Sequence, residues 1–147
     1  MTKAVYSETL FPAVGTQLAL ALSYPMVFLA ALPFGFQTAA AIGLLAGTVT
    51  VATMNLLSPK ITVSEELTAG RFRLPLGVLG EVKILAPDEF LRVIGPEANP
   101  GAQLMIRGDV PRGVMIYISD PNDPTPYLVL SSRKPAELVA AVDANRA

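Results

Sequence analysis

No Asp, Glu, Lys, Arg or His occurs between Glu8 and Lys60, which leaves a charge-free run of 51 residues from Thr9 to Pro59. About 20 apolar residues suffice for one helical crossing of a bilayer, so this run matches two crossings joined by a tight turn. A secretory signal has a single short apolar core followed by a cleavage site, whereas here a second apolar segment follows the first at once. The run therefore reads as an uncleaved membrane hairpin.

The rest of the chain has a different character. Of 23 charged residues only Lys3 and Glu8 precede the run, and the 88 residues from Lys60 to Ala147 carry all the others. That length is enough for one small core, so the expected domains are a hairpin over residues 1–59 and a water-soluble domain over 60–147. Ten basic against eleven acidic residues in the latter leave no field that would favour nucleic acid. With no Cys and no His, there are no disulfides, thiol nucleophiles, zinc thiolates or neutral-pH imidazole bases. No enzyme activity, cofactor or metal site is expected.

Within the run, Leu10–Leu32 and Gln37–Leu57 are the expected spans, and Pro33 to Phe36 the turn. Pro25, deep in the first span, is expected to kink it. Lys3 precedes the first span and Lys60, Arg71 and Arg73 follow the second, so the positive-inside tendency puts both termini and the soluble domain in the cytoplasm. Ala39, Gly43 and Gly47 recur every four residues, a small-residue series that lets another helix approach closely. Its partner is the first span, another copy of the chain or a different membrane protein. The run has no ionisable residue for a proton or ion relay, which argues against a transporter.

Beyond Pro59 short β-rich runs alternate with turn residues. Ile61–Val63 and Leu67–Leu74 are expected to form a hairpin about Ser64-Glu65-Glu66. Further strands are expected over Val78–Leu85, Gln103–Arg107, Val114–Ser119 and Tyr127–Ser131. A short helix is expected over Pro87–Ile94, and a last one over Lys134–Asp143 with Leu138, Val139 and Val142 facing the core. Arg71 and Arg73 alternate along the expected second strand, and with Arg133 and Lys134 they are candidates to hold a lipid phosphate. The plainer reading is solvated or ion-paired arginines. Asp120, Asn122 and Asp123 alternate as calcium ligands do, but Pro121, Pro124 and Pro126 interrupt them and no Glu closes the loop, which reads as a stiff turn.

Several runs, Thr68-Ala-Gly-Arg-Phe-Arg-Leu-Pro-Leu76, Gly80-Glu-Val82, Ile94-Gly-Pro-Glu-Ala98, Asp120-Pro-Asn-Asp-Pro-Thr-Pro-Tyr127 and Ser132-Arg-Lys-Pro-Ala-Glu-Leu138, together resemble an actinobacterial membrane-protein family known as domain of unknown function 3093. The resemblance implies an α+β membrane protein, with a two-helix transmembrane hairpin followed by a small pleckstrin-homology-like β-barrel or sandwich capped by a C-terminal helix. It carries no catalytic residues. The family is usually tryptophan-rich around its membrane segments, and this chain has no Trp. The expected role is a non-catalytic interaction or accessory subunit of a larger membrane complex, respiratory complexes included. Its partners would be other integral membrane subunits met through the hairpin, and membrane lipid, with self-association open. The alternative is a membrane-anchored reader of anionic lipid head groups.

Overall fold

A computed structural model describes residues 5–146. The chain divides into two compact units, Phe11–Ser58 and a second composed of the residues before Phe11 and those from Pro59 onward.

The first unit is helical: α1 (Val14–Ala21), α2 (Ser23–Ala31), a 3-10 turn (Leu32–Phe34) and α3 (Phe36–Leu56). The interruption between α1 and α2 has the expected cause. Pro25 has no N–H for the Ala21 carbonyl and its ring crowds that oxygen, so the helix breaks one turn earlier. There the Leu22 N–H is shared between Leu18 O at 3.3 Å and Ala19 O at 3.2 Å. Gly35, at φ 98°, turns the chain into α3. Val14–Phe34 and Phe36–Leu56 are each 21 residues, long and apolar enough to cross a membrane, about 30 Å as helix. They expose Leu18, Leu22, Met26, Leu29, Leu44 and Leu45 on their outer surface.

The second unit contains two four-stranded sheets. The first has the order β1-β2-β3-β4 (Tyr6–Thr9, Lys60–Val63, Glu66–Ala69, Phe72–Pro75), all antiparallel. The second has the order β5-β7-β8-β6 (Leu79–Leu85, Gly113–Ile118, Tyr127–Ser131, Gln103–Met105), with β6 parallel to β8. Helices α4 (Pro87–Ile94) and α5 (Pro135–Arg146) complete it. Ile61 and Val63 of β2, and Leu67 and Ala69 of β3, alternate inward, while Thr62 and Thr68 alternate outward. The second sheet is buried on both faces. Val114, Ile116, Leu128 and Leu130 join the main core with Leu138 and Val142 of α5, while Met115 and Val129 pack with Phe90 and Val93 of α4. This explains why β7 and β8 are continuous apolar runs rather than alternating ones. The C-terminal helix caps the core as expected, but two open sheets stand in place of a closed barrel.

Two boundaries differ from those expected. Residues 6–10 belong to the sheet unit rather than the hairpin: Thr9 pairs with Lys60, the Leu10 N–H donates to Pro59 O at 2.9 Å, and Leu10 is fully buried in the sheet core. The helical segment is thus the connection between β1 and β2, and its first helix starts at Val14. The expected strand Leu67–Leu74 is two strands, because Gly70 adopts φ 57° and turns the chain where a residue with a side chain would be strained.

Candidate functional site

The four basic candidates do not gather. Arg71 lies in the β3–β4 turn, its guanidinium 5.2 Å from the centre of the Phe72 ring, a cation–π distance. Arg73 is on β4 opposite Thr68. Arg71 and Arg73 therefore do not share a strand face as expected, since the Gly70 turn separates Arg71 from the strand. Arg133 and Lys134 lie between β8 and α5, where the Arg133 N–H donates to Glu8 on β1 at 2.8 Å. β1 and β4 are opposite edges of the first sheet, three strand spacings or about 14 Å apart. Lys134 Nζ is 3.1 Å from Glu137, and Arg133 Nη2 is 3.5 Å from Asp109.

What the structure does gather, and the sequence reading overlooked, is a polar lock around Glu8. Glu8 is on the inward face of β1 and 9% exposed. Its carboxylate accepts from the Tyr6 hydroxyl at 2.8 Å, the Ser132 hydroxyl at 2.6 Å and the Arg133 N–H at 2.8 Å. A buried carboxylate is tolerable only with such partners. Ser132 Oγ in turn accepts the Lys134 N–H at 3.0 Å, just ahead of α5. Burial, and then the bond to Glu8, hold the Tyr6 phenol well above its ordinary range. The signal available in sequence was the alternation Tyr6, Glu8, Leu10, a strand period of two directly ahead of the charge-free run.

Next to the lock lies a second cluster. Arg107 Nε donates to Asp109 Oδ1 at 3.0 Å and Arg133 approaches Oδ2, so one carboxylate holds two guanidiniums. Pro87, Asp109, Val110, Pro111, Arg112 and Arg133 line a cleft of about 320 Å³ beside it. Arg112 stands there because β7 and β8 remain paired past their ends: the Ser132 N–H donates to Arg112 O at 3.1 Å.

In the helical unit, Ala39, Gly43 and Gly47 are the buried residues of α3, and they face α2. A Cβ on Gly43 would sit 3.0 Å from Phe28 Cβ and 3.1 Å from its backbone. One on Gly47 would overlap the Tyr24 ring at 2.4 Å. The small-residue series thus meets the chain's own first span. Polar pairs supplement this contact: Gln17 Nε2 donates to Asn55 Oδ1 at 2.9 Å, and the Tyr24 and Thr48 hydroxyls are 3.3 Å apart.

The Asp120–Pro126 loop is closed by its own side chains. The Asn122 N–H donates to Asp120 Oδ1 at 2.9 Å and the Thr125 N–H to Asp123 Oδ1 at 2.8 Å, so these carboxylates serve as turn formers. Among the described residues no group of three or more acidic, His or Cys side chains could hold a metal ion.

Compared with known proteins, residues 5–142 match the family described as Protein of unknown function (DUF3093). No curated protein and no solved structure matches.

Proposed function

The chain belongs to the DUF3093 family, and from that premise we propose that it is a non-catalytic integral membrane protein serving as an interaction or accessory subunit of a larger membrane complex. In this reading Val14–Phe34 and Phe36–Leu56 cross the bilayer, the Pro33–Phe36 turn lies outside, and the sheet domain faces the cytoplasm. In the same reading the sheet unit serves as a small pleckstrin-homology-like docking domain, and actinobacterial plasma-membrane complexes, respiratory ones among them, are where its partner would be found.

One observation carries the reading. The glycine ridge of α3 is filled by Phe28 and Tyr24 of the same hairpin, yet Leu18, Met26, Leu44, Leu45 and Val49 remain exposed on the outside. Such a surface is costly in water, at about 25 cal/mol per Å² of apolar area, and costs nothing in lipid or against another apolar helix. The internal contact makes the hairpin a preformed element, ready for lateral packing without first having to pair its own helices.

The test has two parts. The chain has no cysteine, so Gly35→Cys and Thr68→Cys report topology with an impermeant thiol reagent on whole cells. Labelling at 35 and not at 68 is expected, and the reverse pattern overturns the orientation. A photoreactive residue placed at Leu44 or Leu45 in native membranes is then expected to crosslink one discrete integral membrane protein. Crosslinks to lipid alone would overturn the accessory-subunit reading.

A further inference from the structure

We propose that the end of the sheet unit at which the chain leaves for the helical unit and returns is a basic rim, seated on the anionic lipid head groups of the membrane through Lys60, Arg71 and Arg112. This seating rests on the reading that the hairpin spans the bilayer, and it adds the surface on which the sheet unit stands.

Strand register sorts the residues of the unit by end. β1 finishes at Thr9 opposite Lys60, where β2 begins, and the β3–β4 turn returns to the same end, since the Gly70 N–H donates to Lys60 O at 3.0 Å. The second sheet is tied to this end at two points. A Cβ on Gly70 would lie 3.3 Å from Met105 Sδ at the end of β6, and Ser132, which follows β8, donates to Glu8. β7 begins here as well, with Gly113 paired to Ser131 and the Ser132 N–H bonded to Arg112 O. Lys60, Arg71 and Arg112 therefore share one end although they belong to three different elements. The opposite end holds the β2–β3 turn with Glu65 and Glu66, and the pairing of Leu79 with Ile118 places there the start of the loop that carries Asp120 and Asp123.

The charges at the rim decide what it faces. Lys60, Arg71 and Arg112 are all exposed, and none forms an ion pair with an acidic side chain among the described residues. Arg71 is held at the rim by Phe72, whose ring centre is 5.2 Å away and which packs against the core. Other charges of this end are engaged with one another: Arg107 and Arg133 with Asp109, Lys134 with Glu137, and Lys83 with Glu89. Asp88, in the first turn of α4, is the acid set against the three cations. A net charge of −1 for the whole chain thus covers a separation, basic at the end joined to the hairpin and acidic at the other. Leu57, Ser58 and Pro59 are all that separates α3 from β2, and the four Cα steps from Leu56 to Lys60 reach about 14 Å at most. Close to an anionic leaflet each Lys or Arg favours the seated arrangement about fivefold, within a Debye length of about 8 Å. Of the three cations only Arg112 borders the cleft beside Asp109, so together they suit a field of head groups rather than one enclosed phosphate.

Two glycines provide the test. Gly108, in the turn after β6, and Gly77, in the 3-10 turn Leu76–Val78 at the opposite end, are positions where a Cβ meets nothing within 4 Å. The chain has no cysteine, so Gly108→Cys and Gly77→Cys each carry a single fluorescent label on the full chain. Each is reconstituted into vesicles of phosphatidylcholine, with and without phosphatidylglycerol, that contain a head-group spin label as quencher. With phosphatidylglycerol present, quenching at 108 is expected to exceed that at 77 by about threefold or more. The excess is expected to vanish at roughly 1 M salt, where the Debye length is about 3 Å, and in the triple variant Lys60→Gln, Arg71→Gln, Arg112→Gln, whose melting is expected to match the parent's because all three side chains are exposed. Resistance to carbonate extraction from the same vesicles reports the hairpin separately. A chain that carbonate removes overturns the spanning reading and the seating with it. A chain that stays inserted but is quenched equally at 108 and 77 overturns the seating alone and leaves the rim to an acidic protein surface. An excess that persists without phosphatidylglycerol or in the triple variant shows that the short connections alone hold the rim at the membrane, and overturns the part given to the three cations.

Discussion

Leu44 and Leu45 of the hairpin are 66% and 68% exposed, whereas Leu128 and Leu130 of the sheet unit are 1% and 0% exposed. The two regions use the same side chain under opposite rules. In the sheet unit the apolar residues converge and exclude water, so each strand contributes through what it buries. In the hairpin the buried residues of the two spans are Ala31, Ala39, Gly43 and Gly47, so α3 turns its smallest residues inward and its largest outward. That inversion belongs to helices packed by close backbone approach rather than by hydrophobic collapse. Polar groups follow the same division: the sheet unit buries a carboxylate with three donors around it, while the hairpin joins its helices with neutral Gln17–Asn55 and Tyr24–Thr48 pairs.

The largest effect expected from breaking this contrast is at Gly113. A Cβ there would lie 1.8 Å from Leu130 O in the paired strand, and neither backbone can move without opening the second sheet. Gly113→Ala is expected to cost about 4 kcal/mol or more. Its signature is loss of the slowly exchanging β7 and β8 amides while hairpin amides stay protected. A variant with parental exchange would show that the sheet unit is as tolerant as the hairpin.

Gly43→Ile makes the converse cut, pressing a branched side chain against the Phe28 backbone. A loss of about 1–3 kcal/mol is expected for the hairpin, read as a lower melting temperature of helical circular dichroism in detergent, with the sheet unit unmoved. Leu44→Ile, one position round the helix, is expected to change little. Equal melts for Gly43→Ile and Leu44→Ile would remove the close contact from the account.

Glu8→Gln sharpens the comparison at the polar lock. The amide keeps the shape but cannot accept all three donors, and about 1–3 kcal/mol is expected to be lost from the sheet unit. The hairpin, although continuous with β1 in sequence, is expected to keep its melting behaviour.

The smallest effect is one of pH. The Tyr6 hydroxyl is held above its ordinary value of 10.0 by burial and by Glu8, so the folded state keeps its proton longer than the unfolded chain does. Its stabilising contribution is complete below about pH 10 and falls as pH rises above that, because the unfolded chain alone then releases the proton. Melts between pH 8 and 11 are expected to decline less steeply for Tyr6→Phe than for the parent. Parallel declines would mean that Tyr6 is not coupled to folding.

The sequence by itself determined whatever depends on local composition and period. The charge-free run specified two long apolar helices, Pro25 specified the break within the first of them, and Pro87–Ile94 was legible as a helix from its own turn and cap residues. The spacing of Leu138, Val139 and Val142 likewise named the core-facing side of the last helix, with Leu138 and Val142 fully buried and Val139 packed partly buried against the core. Tertiary structure decided whatever depends on which distant segments meet. Leu10 read as the first residue of a span, because a leucine beside an apolar run looks the same whether it faces lipid or a core; pairing of Thr9 with Lys60 placed it in the sheet. Arg71 and Arg73 looked like neighbours until the positive φ of Gly70 turned the strand. Glu8, Ser132, Arg133 and Asp109 came together only through folding, since the hydrogen bond between Glu8 and Ser132 spans 124 residues. A carboxylate so far from its donors leaves no periodic trace, and only the closed fold brings the donors that make its burial tolerable.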